Sequence, residues 1–223
     1  MDDRRRLLWL LLGGFAVISL LLAWSIVYRS VSTFRAGTRP EFVPETSLSK
    51  PTLPPLRSTD PSRGSTSSEA IVIVEFADFT CHYCRATEPE LSALLEAYPD
   101  GIRHVWRDMP IASDRPDGIL AASAGRCAND QGMFWPMHDE LLRLNTITLG
   151  SLSDAAQRLK LDVSQFNACI QSGRHVADIQ NDIQIAKDHG LSGAPTFFIG
   201  NQVLTGYVKA TELQWAILKA RLF

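Results

Sequence analysis

Net charge is nearly missing from this chain: 22 Lys and Arg against 24 Asp and Glu leave a formal value of -2 over 223 residues. With no basic excess to neutralise phosphates, nucleic acid is not an expected partner. Cysteine is scarce too, at four residues, and the arrangement leaves little room for metal. Cys81 and Cys84 form a Cys-x-x-Cys pair, but no second such pair and no His-x3-5-His follows, so a zinc site would be only half built. Covalent haem requires His directly after the second cysteine, where Arg85 stands. His104, His175 and His189 have no neighbours at metal-ligand spacing. No metal or other cofactor is therefore expected. There is no internal repeat.

Charged side chains are absent from residues 7–28, directly after Arg4, Arg5 and Arg6. As a helix this run would reach roughly 33 Å, enough to cross a bilayer core. A cleaved signal peptide is the competing reading, but its apolar part is shorter, about 7–15 residues, and Ala23-Trp24-Ser25 fits poorly as its cleavage site. Residues 1–28 are therefore read as a cytoplasmic N-terminus and a transmembrane signal anchor. Arg29, Arg35 and Arg39 balance the three arginines on the other side, so charge alone does not orient the span. Residues 29–68, rich in Pro, Ser and Thr and without apolar period, read as a linker.

What the sequence does contain is organised around Cys81-His82-Tyr83-Cys84. Residues 70–76 are almost continuously apolar and β-branched, as in a central strand covered on both faces. A helix follows, so Cys81 falls at its N-terminus, where unpaired amides and the helix dipole favour thiolate over thiol. Cys81 is the expected nucleophile. Cys84, one turn further in, is its disulfide partner and the shielded resolving thiol. His82 can donate a hydrogen bond or positive charge toward the Cys81 sulfur. Disulfide chemistry is most useful outside the reducing cytosol, which places the N-terminus inside and the remainder in the periplasm or another extracytoplasmic space.

From Glu69 the pattern is a strand, a helix over 81–98 with Pro89 as an expected kink, a turn at 99–101 and a strand over 102–107. This is a βαβ unit with the cysteines at the carboxyl end of its first strand. Residues 117–189 read as five helices: 118–130, 133–144, one capped by Ser151 or Ser153, one capped by Ser164 and ending at Gly173, and 174–189. Pro195 marks the entrance of a further strand, Gly200-Asn201 a hairpin turn, and Thr211 the cap of a closing helix. The fold class is α/β, with a helical insertion between an N-terminal βαβ unit and a C-terminal ββα unit.

Glu75 six residues before Cys81, Phe76-Ala77-Asp78-Phe79 leading into the Cys-x-x-Cys, the helical block, and Gly193-Ala194-Pro195-Thr196-Phe197-Phe198 before a hairpin carry a family likeness. Together they resemble the DsbA-like thiol–disulfide oxidoreductases of the thioredoxin superfamily, over about residues 69–223. The resemblance implies a thioredoxin-like fold with its helical insertion at about 117–189. It implies a cis bond before Pro195, and a substrate-binding surface of Tyr83, Ala194 and Pro195 in which the Ala194 backbone pairs with an extended peptide. Glu75 resembles the buried acid beneath the second cysteine. A carboxyl group in an apolar strand should have a raised pKa and could exchange a proton with Cys84; the plainer reading is a strand-end glutamate reaching solvent. The sequence departs from the pattern at His82-Tyr83, where strong oxidants carry Pro-His, and at Ala194, where Val or Thr is usual.

The activity implied is the introduction of disulfides into unfolded or folding secreted proteins that carry thiols. Reoxidation would fall to a quinone-linked membrane protein of the DsbB-like or vitamin-K-epoxide-reductase-like (VKOR-like) kind. A reductase or isomerase would use the same residues, and a binding or chaperone module with purely structural cysteines is a third reading. No added dimerisation domain is visible, so a monomer is expected. Cys127 and Cys169 suggest a structural disulfide in an oxidising compartment, two separate buried thiols being the alternative. Phe134-Trp135 and Met137-His138 read as insertion core and a capping histidine.

Overall fold

The structure, a computed structural model, describes residues 52–110 and 116–222. The expected anchor and the first part of the expected linker lie outside them. Among the described residues no helix is long and apolar enough to cross a membrane. The elements run β1 (Ser62–Gly64), β2 (Ile71–Ala77), α1 (His82–Ala97), β3 (Ile102–Asp108), α2 (Pro116–Asn129), α3 (Phe134–Arg143), α4 (Leu149–Arg158), α5 (Val163–Ser172), α6 (Val176–Asp188), β4 (Thr196–Ile199), β5 (Gln202–Thr205) and α7 (Ala210–Leu222). The strands form one sheet in the order β1-β3-β2-β4-β5. β2 lies in its middle, parallel to β3 and antiparallel to β4. Strands with neighbours on both sides and layers on both faces favour apolar side chains, which is why β2 reads as a nearly continuous apolar run broken by Glu75.

Alternation along the strands divides the core in two. One face carries Ile73, Ile102, Phe197 and Ile199 and packs against Leu91 and Leu94 of α1 and Leu213 and Ile217 of α7. The other carries Val74, Phe76, Val105 and Phe198 and packs against the insertion, with Ala124, Phe134, Met137, Leu152 and Phe166. The insertion is the expected run of five helices, α2 to α6. Two of its caps sit earlier than expected. Thr148 caps α4 in a capping box with Ser151, and Asp162 caps α5 by accepting from the Gln165 amide at 2.9 Å. Ser151 and Ser164 fall inside the helices, because a better-placed acceptor precedes each one. α1 continues through Pro89 without interruption.

The stretch read as linker requires a correction at its C-terminal end. Ser62, Arg63 and Gly64 pair with Val105, His104 and Arg103, making β1 the edge strand beside β3. A three-residue polar strand has no apolar period to betray it. It is held by its ladder and by the Trp135 indole, which donates to the Ser62 carbonyl at 2.9 Å. Just upstream, Asp60 and Arg57 enter a buried ionic cluster. Asp182 of α6 accepts from Arg107 at 2.9 Å, from Arg126 at 2.5 Å and from Arg57 at 2.5 Å. Arg126 also holds Asp108 at 2.6 Å, and Arg107 holds Asp60 at 2.8 Å and donates to the Pro55 carbonyl. Cys127 of α2 and Cys169 of α5 are joined by a disulfide with a Cα–Cα distance of 5.8 Å. Closing that loop stabilises the fold by about 4 kcal/mol on the chain-entropy account.

Asp182 is fully buried and serves three guanidinium groups. Asp182→Ala leaves buried positive charge uncompensated and should cost about 3–5 kcal/mol in denaturant unfolding. A loss below about 1 kcal/mol would show that the cluster is not holding the insertion to the sheet.

Candidate active site

Cys81 is the N-cap of α1, with φ -77° and ψ 128°; its amide donates to the Asp78 carbonyl at 3.0 Å and its carbonyl accepts from Arg85 at 3.2 Å. The helix has no side-chain cap and no acid in its first turn. Its first amides are therefore available to the Cys81 sulfur. Hydrogen bonding from the Cys84 thiol, and then from the Cys84 and Tyr83 amides, draws the Cys81 pKa from 9.0 down to about 6, against burial and the Asp78 charge. Cys84, 2% exposed, is pushed far upward by burial and by Cys81. The Asp78 amide donates to its sulfur at 3.5 Å. Both are free thiols in this structure. One cysteine is thus built to ionise and the other to stay protonated.

Opposite α1 the Ala194–Pro195 bond is cis, and the Ala194 carbonyl lies 3.3 Å from the Cys81 sulfur. This loop is fixed by the Gly206 amide donating to the Pro195 carbonyl at 2.8 Å and by the Thr196 hydroxyl donating to the Gly193 carbonyl at 2.7 Å. Tyr83 is 56% exposed, and the His82 ring, also exposed, meets it edge-on at 5.7 Å. The groups that draw the Cys81 pKa down are hydrogen-bond donors of Cys84 and Tyr83, and the His82 ring is not among the causes of that shift.

Beneath Cys84 lies a polar cluster in an otherwise apolar layer. Glu75 is 2% exposed, which removes the reading of a glutamate reaching solvent. Burial, and then the Glu88 charge, raise its pKa to about 8, while His138 and Arg63 pull the other way. Glu75 Oε2 lies 2.8 Å from His104 Nε2. Arg63 donates through Nε to His104 Nδ1 at 3.1 Å and through Nη2 to Glu88 at 2.7 Å. Burial opposes the ionisation of Glu88, but His138 and Arg63 outweigh it and hold its pKa below the ordinary value. His138 Nε2 is 3.8 Å from Glu88, and its Nδ1 is 2.9 Å from Asp139 at the surface.

Sequence reasoning placed Glu75 but missed Arg63, Glu88, His104 and His138. Glu88, two turns beyond Cys81 on the same helix, could have been found from helical spacing. His104 could have been found as the polar residue two positions after Ile102 on an inward-facing register. Nothing in the local sequence announces Arg63. Glu88, His138 and Asp139 gather donor atoms of metal-binding type, as do Cys127, Cys169 and His175. In the first group Arg63 already neutralises Glu88, and in the second both sulfurs are tied in the disulfide.

A five-stranded sheet with a Cys-x-x-Cys capping the helix after its central strand, and a proline loop set against the first cysteine, is the architecture of the thioredoxin-like, Dsb-type thiol–disulfide oxidoreductases. The chain belongs to the thioredoxin family, whose profile matches residues 57–219. It is 35% identical over 151 residues to Na(+)/H(+) antiporter NhaA 3 of Salinispora tropica, a match covering 67% of this chain but 23% of that protein. The chain thus spans less than a quarter of that relative's length. Among solved structures it resembles a thioredoxin-like oxidoreductase from Silicibacter pomeroyi, with 27% identity, a TM-score of 0.68 and coverage of 75% of this chain and 95% of that one. It also resembles Pseudomonas aeruginosa DsbA2, with 25% identity, a TM-score of 0.60 and coverage of 70% and 91%.

Iodoacetamide should modify Cys81 at a rate that rises with a midpoint near pH 6 and levels off about two units higher, leaving Cys84 untouched in the folded protein. A midpoint at the value of an ordinary thiol contradicts this geometry. For Glu75, a native pKa of about 8 against an ordinary 4.5 means that the native state keeps a proton the unfolded chain loses between those values. Stability therefore falls as pH rises through that window. Glu75→Gln removes the loss. The variant should match the parent near pH 4 and exceed it by roughly a few kcal/mol at pH 9 in guanidinium unfolding, and equal stabilities at pH 9 would be inconsistent with a buried, protonated Glu75.

Proposed function

We propose that this chain is a membrane-tethered thiol–disulfide oxidoreductase that donates the Cys81–Cys84 disulfide to unfolded or folding extracytoplasmic proteins. The observation that carries this reading is the opposed ionisation of the two sulfurs, with Cys81 drawn down to about 6 and Cys84 pushed up. A substrate thiolate attacks Cys81, the Cys81–Cys84 bond breaks, and the Cys84 sulfur takes up a proton from Glu75. A second substrate thiolate then attacks the substrate sulfur of the mixed disulfide and expels Cys81 as a thiolate. The substrate loses two electrons and the enzyme is left as the dithiol.

Stabilising the expelled thiolate favours this direction. A Cys81 pKa of about 6 in place of 9.0 stabilises the thiolate of the reduced form at pH 7 and so makes the pair more oxidising. Tyr83, Ala194 and Pro195 form the surface on which an extended substrate would lie, with the Ala194 backbone as its pairing edge and His82 at the rim. Residues 7–28 serve as a signal anchor with the N-terminus inside and the catalytic domain outside. A DsbB-like or VKOR-like quinone enzyme would return the pair to the disulfide. The domain acts as a monomer.

The experiment that tests the direction is the reduction potential of the Cys81–Cys84 pair, measured by equilibration with glutathione. Donation requires a value less negative than about -240 mV, at least 30 mV above the thioredoxin end of the scale near -270 mV. A value more negative than about -240 mV, toward the thioredoxin end of the scale, would overturn donation and make the same site a reductase.

A further inference from the structure

The Cys127–Cys169 bond of the insertion stands among metal-binding side chains drawn from three helices. Cys127 of α2 is 1% exposed and Cys169 of α5 is 3% exposed. His175, the N-cap residue of α6, brings a ring nitrogen to them, so that the two sulfurs and the nitrogen all lie within 4.8 Å of one another. A fourth donor comes from just past the end of α2, where Asp130 Oδ2 lies 3.6 Å from the Cys169 sulfur and 2.8 Å from His175 Nε2. Donors around a tetrahedral zinc ion stand about 3.3–3.8 Å apart, given bonds of about 2.0–2.3 Å. With the Cα atoms 5.8 Å apart, turning the two Cα–Cβ bonds opens the freed sulfurs to that spacing. While they are bonded to each other neither sulfur can hold a metal, and the Cys169 sulfur has no hydrogen to give the carboxylate beside it. Reduction changes both.

We propose that the dithiol form of Cys127 and Cys169 is a zinc site completed by His175 Nε2 and Asp130 Oδ2, in which the metal replaces the disulfide as the link between α2 and α5. A thiol reductant such as glutathione gives two electrons and two protons to the S–S bond and leaves as its own disulfide. Zinc then displaces the two thiol protons and binds both sulfurs as thiolates. In the reverse direction a disulfide oxidant takes two electrons from the sulfurs, the S–S bond forms again and the ion is released. Two thiolates with an imidazole suit zinc better than magnesium or calcium. Two thiolates and a carboxylate exceed the charge of the ion by one, and Arg174, 2.5 Å from Asp130, offsets the excess. On the other side of the imidazole, Asp178 lies 3.6 Å from His175 Nδ1, where an outer carboxylate orients a metal-bound ring. All four positions are filled by the protein, so the site is structural and leaves none for a substrate. It is independent of the chemistry proposed for Cys81 and Cys84.

The test uses the full chain carrying Cys81→Ser and Cys84→Ser, so that every thiolate signal belongs to Cys127 and Cys169. Reduced with a phosphine, freed of reductant without oxygen and titrated with Co2+, it should bind a single equivalent. The complex should show sulfur-to-cobalt absorption in the near ultraviolet and the strong visible bands of a tetrahedral ion, and Zn2+ should bleach both. The oxidised chain should bind neither metal. Zn2+ should raise the unfolding temperature of the reduced chain and leave that of the oxidised chain unchanged. His175→Gln should weaken Zn2+ binding by at least about tenfold. Absence of cobalt binding to the reduced chain overturns the proposal, as do weak octahedral bands, equal binding by the oxidised chain, or parental affinity in His175→Gln. If the reduced chain is unfolded without metal, Zn2+ should refold it as read by circular dichroism, and failure to refold is equally fatal. A reduction potential that refuted disulfide donation by Cys81 and Cys84 would leave all these results unchanged.

Discussion

The uncapped first turn of α1 is the constraint on which the rest of the structure depends. A helix that opens without a side-chain acceptor leaves backbone donors unsatisfied, and here the nearest acceptor is the Cys81 sulfur. Had position 81 held Ser or Asp, the same amides would have been spent on an ordinary cap. The strand that feeds this turn is buried on both faces, which fixes where the turn sits. The proline loop closes over it from β4 and brings the Ala194 carbonyl to the sulfur. Ionisation of Cys81 thus rests first on the Cys84 thiol and then on the backbone amides of the strand–helix junction. It does not require His82, whose exposed ring is turned toward Tyr83.

Stabilising one sulfur makes a demand on the other. In the exchange proposed above, the electron pair left on Cys84 when the disulfide opens lies in surroundings that push its pKa far up, so the proposed step gives it a proton from inside the protein. Glu75 is the buried group within electrostatic reach that holds a proton near neutrality. Its neighbours tune that proton from three elements: Arg63 and His138 pull it toward release, and Glu88 holds it back. The sheet thus carries a polar inset of Glu75 and His104 among its apolar side chains. Arg63 serves His104 and Glu88 together, while Glu75 Oε2, His104 Nε2 and His138 Nε2 stay buried without a hydrogen-bond partner among the described residues.

Much of this was legible in the sequence because it depends on local rules. The continuous apolar run named β2, the Cys-x-x-Cys after it named the junction, and Gly and Pro marked the hairpin and the strand entrance. Glu75 stood out as the acid in an apolar strand. The helical insertion came through its periodicity, although Thr148 and Asp162 took the caps from the serines beside them, since neighbouring cap formers differ little in local preference. What was not legible was non-local. β1 is three polar residues whose strand character comes wholly from pairing with β3, and Arg63 is far from Glu88 and His104 in the chain. A stretch rich in Pro and Ser is indistinguishable by composition from a true linker, so the order of its last part could not be read.

The misread segment links the stability of the domain to its chemistry. Pro55, Arg57 and Asp60 are bound into the Asp182 cluster, which also ties α2 and α6 to β3. The chain then runs through β1, whose Ser62 carbonyl is held by Trp135 of α3 and whose Arg63 lies over the same indole. The insertion thus pins the strand that delivers Arg63 to the redox site. The Cys127–Cys169 bond braces α2 against α5 within that insertion. Buried ion pairs contribute little net stability compared with well-packed apolar groups, so their cost is better explained by what they position than by what they stabilise. Here they hold a strap with almost no hydrophobic content of its own in register with β3, and that register sets Arg63 opposite His104.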